Sequence, residues 1–266
     1  MNKNIAIIGG GNLGTAIAEG LVKSKFSKAR EITVTRRNTS INPVKSLGIE
    51  ITSNNNAAVK KSDVIIIAVK PFQAVEVLKT IKKDLTAEKI LISVVTGVTM
   101  QEMETSIDKK ISLFRAMPNT AISIRQSMTC LCHQHAKNAD IEYVHDLFSK
   151  LGKVVSIDEK LMEAATILGA CGTAYAMRYI RANIQGGIEI GFDAAIASLI
   201  AAQTVKGAAE LLLLKKSHPE QEIDKVTTPK GCTIAGLNEM EHNGFSSALI
   251  KGIKTSANKA GELYKK

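Results

Sequence analysis

The chain has 266 residues, 45% of them hydrophobic and 23% charged, and its 35 Lys and Arg against 25 Asp and Glu give a formal net charge of +10. That is the composition of an ordinary soluble globular protein, long enough to bury a sizeable core in one large domain or two smaller ones. Aromatics make up only 4%, Trp is absent and the basic residues are dispersed, so a nucleic-acid platform is disfavoured and small anionic molecules are the expected partners.

At its start the chain enters an apolar run by Ile5 with no signal-peptide architecture, and its four cysteines lack the spacing of a secreted disulfide framework. A reducing cytoplasm is the expected compartment. Short apolar runs recur at Ile5 to Ile8, Ile32 to Thr35, Val64 to Val69, Ile90 to Val95, Ile111 to Arg115 and Met128 to Cys132, with helical patterns between them. Strands alternating with helices predict an α/β unit on a mostly parallel sheet. A last run, Val154 to Ile157, is expected to close that sheet, which sets a first domain at residues 1–157.

The first strand leads through Gly9-Gly10-Gly11-Asn12-Leu13-Gly14 into an Ala-rich helix. In this Gly-x-Gly-x-x-Gly pattern Gly9 permits the tight turn, Gly11 lets a pyrophosphate approach the backbone, and Gly14 allows the helix to pack closely on the sheet. Alone the pattern is weak, and a structural glycine turn is the alternative. Its place between the first strand and a helix favours a dinucleotide site on a Rossmann-like domain, with all six residues in contact with the cofactor.

The second strand ends at Thr35-Arg36-Arg37, where an NAD site usually carries an acidic residue. Two guanidinium groups suit a 2′-phosphate, so NADPH is the expected cofactor; a pair of solvated charges is the alternative. Asn55 is a further candidate for that phosphate or the adenine side. Ala68-Val69-Lys70-Pro71 and Thr96-Gly97 fall at the carboxyl ends of later strands, where open parallel sheets bind ligands. Pro71 and Gly97 stop those strands, and Lys70 either neutralises phosphate or points to water.

Beyond Asp158 the texture changes to Ala-, Leu- and Ile-rich helical stretches, Leu161 to Asn183 and Ala194 to Leu214. They predict an all-helical domain over residues 158–266, packed on itself or on another subunit. Ala194 to Val205, interrupted by Ser198 and Gln203 and followed by Lys206, is too short to span a bilayer and reads as a buried helix, so no membrane is expected. Into this half the segment Thr227-Thr228-Pro229-Lys230-Gly231-Cys232-Thr233 introduces hydroxyls, Pro and Gly. Hydroxyl donors, and free amides if a helix starts there, suit a polar anion; a turn with a helix cap is the alternative.

With Met117-Pro118-Asn119-Thr120 after the fifth strand, Gly172-Thr173-Ala174-Tyr175, and above all Thr228 to Leu237, the chain resembles the pyrroline-5-carboxylate reductase family over nearly all its length. The resemblance implies reduction of the cyclic imine 1-pyrroline-5-carboxylate to L-proline with NADPH, the last step of proline biosynthesis. It also implies a homodimer through the helical domain, open to further assembly. Such chemistry asks few acids or bases of the protein, because the imine nitrogen is basic enough to be protonated; the protein positions two rings and holds a carboxylate.

On the same resemblance Thr233 is the catalytic candidate, its hydroxyl on the ring nitrogen. Thr228 and the amides of Gly231, Cys232 and Thr233 cradle the carboxylate. Asn119 joins the substrate side at the nicotinamide carboxamide, and Glu159 matches a substrate-side carboxylate, with a solvated helix residue as the alternative. Three departures stand out: Lys230 for a common Gly, Ala121 for a common Pro, and Gly169-Ala170-Cys171-Gly172-Thr173 for a Ser-Gly-Ser-Gly-Pro run.

The run Cys130-Leu131-Cys132-His133-Gln134-His135 carries four ligand types, but on a strand the cysteines face one side and the histidines the other, so no metal is expected. Two rival functions remain. A related NADP-dependent imino- or keto-acid dehydrogenase would need a positioned general acid, which Thr227 to Leu237 does not offer. A non-catalytic NADPH sensor would bind cofactor without turnover.

Overall fold

The structure, a computed structural model, describes residues 3–40 and 43–264. Within it the chain divides into two compact units, one running to Ala170 and taking in the chain from Ala260 onward, the other Cys171–Lys259.

The first unit is built on eight strands: β1 Ile5–Ile8, β2 Ile32–Thr35, β3 Glu50–Thr52, β4 Val64–Ile67, β5 Ile90–Ser93, β6 Ser112–Met117, β7 Ser127–Gln134 and β8 Gly152–Ser156. They form one sheet in the order β3-β2-β1-β4-β5-β6-β7-β8. Neighbours are parallel except β6 and β7, which run antiparallel. The expected mostly parallel α/β sheet is therefore present. The edge strand β3 has no counterpart among the apolar runs, because only Ile51 of its three residues is apolar and all are at least partly exposed.

Strand apolarity follows from burial on both faces. Successive side chains of β1 alternate: Ile5 and Ile7 join Ile17, Leu21, Val34 and Phe148 on one face, while Ala6 and Ile8 join Val59, Ile65, Ala74 and Leu78 on the other. The first face is covered by α1 (Asn12–Lys23) and, through Val144, Leu147 and Phe148, by a later helix, Asn138–Ser149; the second by α2 (Asn55–Lys60), α3 (Pro71–Ile81) and α4 (Met100–Ile107). That later helix is α5.

The compact unit continues past the expected boundary at 157/158. After β8 come a 3-10 turn at Glu159–Leu161, a short helix α6 (Met162–Ala165) and a π-helical turn Thr166–Cys171. Met162 is buried with Met100, Met117 and Cys132, and Ile167 is buried too, so this stretch belongs to the sheet unit's core. The single helix expected over Leu161 to Asn183 is thus broken by the π turn, and α7 begins at Gly172 and ends at Glu189.

The second unit is helical, with α7 followed by α8 (Ala194–Lys215), α9 (Pro219–Lys225), α10 (Cys232–His242) and most of α11 (Phe245–Tyr264). Gly187 lets α7 approach α8: a Cβ there would lie 3.2 Å from that of Ala197. Tyr175 donates to Ser256 at 2.7 Å and so ties α7 to α11.

The expectation for Ala194 to Val205 is corrected. The helix does not stop at Lys206 but runs 22 residues, long and apolar enough by length and composition to cross a membrane. Nor is it buried: only Ala197 and Ala201 are, while Leu199, Leu213 and Leu214 are 70%, 62% and 77% exposed.

Candidate active site

The glycine loop is shaped by close backbone approach. Gly9 has φ +116°, and a Cβ on it would come within 2.5 Å of the Ala68 carbonyl oxygen at the end of β4. A Cβ on Gly14 would overlap the Gly9 carbonyl oxygen, so α1 can seat against the loop only with Gly at that position. Gly11, in contrast, faces open space with nothing within 4 Å of its Cβ position. It is also the N-cap of α1, which carries no side-chain cap and no acidic residue in its first turn. Exposed Asn12 and half-buried Leu13 follow it there. Unpaired first-turn amides at a glycine approach are what an anionic pyrophosphate requires.

Around the loop, Gly10 donates its amide to the Thr35 carbonyl at 2.7 Å and accepts from Arg36 Nη1 at 2.9 Å through its own carbonyl. Thr35 acts through its backbone, because its side chain is buried at the sheet. Arg36 is held beside the loop by one of its five N–H donors, and Arg37 next to it is exposed. Asn55 opens α2, but the capping oxygen comes from Asn54, which accepts from Ala57 N at 3.0 Å.

Farther along the carboxyl edge, half-buried Ala68 and Val69 lead to exposed Lys70, the N-cap of α3, with Pro71 in the first turn. Gly97 has φ +76°, and Thr96 donates to Met117 Sδ at 3.9 Å. The structure therefore brings the loop, Arg36 and the ends of β4 and β5 to one edge of the sheet.

Two residues assigned to the substrate side are tied into the sheet unit. Asn119 caps the 3-10 turn Thr120–Ile124 by accepting from Ala121 N at 3.0 Å, and its Nδ2 donates to the Gly169 carbonyl at 3.1 Å. Glu159 is partly exposed and is tied to two partners in the sheet unit. Its Oε1 accepts from Arg115 Nη1 at 2.7 Å and from Met100 N, the first amide of α4, also at 2.7 Å. Arg115 is 6% exposed, and a buried guanidinium needs such a partner. Glu159 thus fixes the start of α4 just after the Thr96-Gly97 loop, a role that its sequence position alone does not signal.

Cys132 lies beside this pair, buried with the methionines and partly buried Cys130, and burial pushes its thiol up to about 11, against the opposing pull of Arg115. Such a thiol is unreactive.

In the helical unit, Thr228-Pro229-Lys230-Gly231 closes a turn in which Gly231 N donates to the Thr228 carbonyl at 2.9 Å. Of the three amides expected to cradle the carboxylate, that of Gly231 is thus engaged by the turn. Gly is nonetheless required there, because a Cβ would collide with Thr228 Oγ1. Helix α10 starts at Cys232 with Gly231 as an N-cap that lacks a side-chain cap, and no acidic residue follows in its first turn. Its opening amides, Cys232 and Thr233, are the ones positioned for an anion. Among the described residues the Thr233 hydroxyl has no hydrogen-bond partner. Lys230 has φ +58° and is exposed.

A mostly parallel sheet with a glycine loop at the carboxyl end of its first strand, followed by a helical unit, defines a nucleotide-dependent oxidoreductase of the Rossmann class. A family model described as NADP oxidoreductase coenzyme F420-dependent matches residues 4–97, and one described as pyrroline-5-carboxylate reductase dimerisation matches residues 159–263. Pyrroline-5-carboxylate reductase 1 of Dictyostelium discoideum is 49% identical over 99% of this chain, which spans half of that relative's length. Reductase 2 of the same organism is 44% identical over 98% of this chain and 93% of the relative. The solved pyrroline carboxylate reductase of Plasmodium falciparum, with NADP bound, is 26% identical over 99% of both chains, with a TM-score of 0.90. The chain belongs to the pyrroline-5-carboxylate reductase family.

Proposed function

We propose that the chain reduces 1-pyrroline-5-carboxylate to L-proline with NADPH, as a cytoplasmic homo-oligomer built on a dimer. Residues 1–157 hold the cofactor, and residues 158–266 bind substrate and make the dimer. The observation that carries this reading is the start of α10, where uncapped amides occur with a Thr233 hydroxyl that has no partner among the described residues. The Cys232 and Thr233 amides, with Thr228 beside them, hold the carboxylate, and Thr233 Oγ accepts from the ring N–H. NADPH supplies the hydride for the imine carbon. Gly9 to Gly14 take its pyrophosphate and Arg36 with Arg37 its 2′-phosphate, next to a loop whose shape leaves Gly11 open. Asn119 and Glu159 support this site by fixing Ala121, Gly169 and Met100. The bare apolar face of α8 supports the dimer, because a helix this apolar needs cover.

The test is NADPH oxidation followed with pyrroline-5-carboxylate, beside NADH. Turnover preferring NADPH is expected, and Thr233→Ala lowers kcat about 10- to 150-fold with NADPH affinity unchanged, the effect of one lost hydrogen bond to a charged group. Cofactor binding without turnover would leave only the sensor, and NADH preference would remove the role given to Arg36 and Arg37.

A further inference from the structure

At the amino end of the sheet, opposite the glycine loop, lies a cavity of about 310 Å³ lined by Lys3, Lys25, Phe26, Ser27, Tyr143, Asp146 and Lys150. Lys3 precedes β1 and Gly9 follows it, so the two ends are about 20 Å apart at the ~3.3 Å rise of a strand residue. The cavity is thus separate from the cofactor loop.

Three elements build it. The end of α1 closes with Lys25 N donating to Val22 O and Phe26 N to Leu21 O, each at 3.0 Å, and this leaves Lys25 at φ +62°. Helix α5 contributes Tyr143, whose ring packs against Phe26 at 5.4 Å between centroids. Lys3 Nζ lies 5.5 Å from the Tyr143 ring centroid. The result is a pair of aromatic rings flanked by ammonium groups.

The charged groups lining this cavity are three lysines against one carboxylate, Asp146. Among the described residues the ammonium groups of Lys3 and Lys25, the Tyr143 phenol and the Ser27 hydroxyl have no acceptor. Asp146 faces the cavity but is paired with Lys150 Nζ at 2.9 Å. Asp63 and Glu31 also act on the phenol, yet Asp63 accepts from Asn4 N and Glu31 from Lys28 N, each at 2.8 Å. Burial first, and those three carboxylates next, hold the phenol above its ordinary range, so it remains a donor throughout the physiological window. Unspent donors around an apolar ring pair select an anion with a flat body, and the volume is that of a small-metabolite pocket.

We propose that this cavity binds a small phosphate monoester carrying a flat ring, of the nucleoside monophosphate class. Its phosphate meets Lys3, Lys25 and Tyr143, and its ring lies on the Phe26–Tyr143 pair.

The test is calorimetric titration with adenosine 5′-monophosphate on the full chain, with NADPH saturating so that the cofactor loop is filled. One site per chain is expected. Lys25→Gly removes the charge while suiting the positive φ, so its melting temperature should equal or exceed that of the parent while affinity falls about tenfold, and Tyr143→Phe should weaken binding roughly threefold. Inorganic phosphate, which leaves the rings uncovered, binds more weakly than the nucleotide. Absence of binding at millimolar nucleotide overturns the proposal, as does an affinity unchanged by Lys25→Gly or phosphate binding as tight as the nucleotide's.

Discussion

The sheet unit and the helical unit are both rich in aliphatic residues, but they spend them differently. The largest fully buried side chains, Phe114 and Phe148 among them, lie in the sheet unit, whose strands are covered on both faces. In the helical unit, α7, α9 and α10 bury no residue completely and α8 buries only Ala197 and Ala201. Apolarity thus has two meanings: in one region it has been consumed by folding, and in the other it stays exposed, as the proposed dimer requires. A region of the second kind gains stability from its partner by mass action.

The sharpest way to break that comparison is to spoil the uncovered face. Leu199, 70% exposed on α8, should be indifferent to charge if the chain acts alone. In the proposed dimer Leu199→Asp buries an unpaired carboxylate at a cost of several kcal/mol. Sedimentation is then expected to show monomers, and activity should fall below detection. A dimer that survives the substitution would show that the face lies outside the interface.

In the sheet unit the largest effect is expected at Gly14, where any side chain meets the Gly9 carbonyl. Gly14→Ala should cost about 2–4 kcal/mol as an overpacking and backbone defect and cut NADPH affinity by two orders of magnitude, with oligomeric state unchanged. Denaturant unfolding and cofactor titration measure both.

Glu159→Ala comes next, because it strands a buried guanidinium. The loss is set at about 2–3 kcal/mol, below the full figure for a buried pair because Glu159 itself is 34% exposed. Glu159→Gln, which retains an acceptor for Met100 N, should recover part of the stability. If Glu159 touched substrate instead, both variants would raise KM for the imine with stability unchanged.

What could be read from the sequence follows the same division. Strands β1 and β2 occupy Ile5–Ile8 and Ile32–Thr35 as their runs announce, because a strand buried on both faces favours apolar and β-branched residues. The edge strand β3 carries no such signal, since its ladder is backbone and only Ile51 of its side chains packs on the core. The π turn at Thr166–Cys171 is likewise silent, as its register depends on Met162 and Ile167 reaching the sheet core. At the site, residue types indicated the glycine loop and the α10 start. They did not indicate that the Gly231 amide closes a turn or that Glu159 answers Arg115, because both depend on which partner arrives in space.

The smallest expected effect is at Lys230. Its φ of +58° falls in the left-handed region, which a side chain enters at a cost and Gly does not. Lys230 therefore carries a backbone penalty beside the helix start proposed to hold the anion, and the exposed ammonium is what it retains. Lys230→Gly should relieve about 0.5–1 kcal/mol of that strain, partly offset by the greater freedom of Gly in the unfolded chain. It should also raise KM for the imine carboxylate a few-fold, with kcat unchanged, and the difference should shrink as salt screens the charge. A KM that is insensitive to both the substitution and salt would reduce Lys230 to a turn residue in an unfavourable conformation.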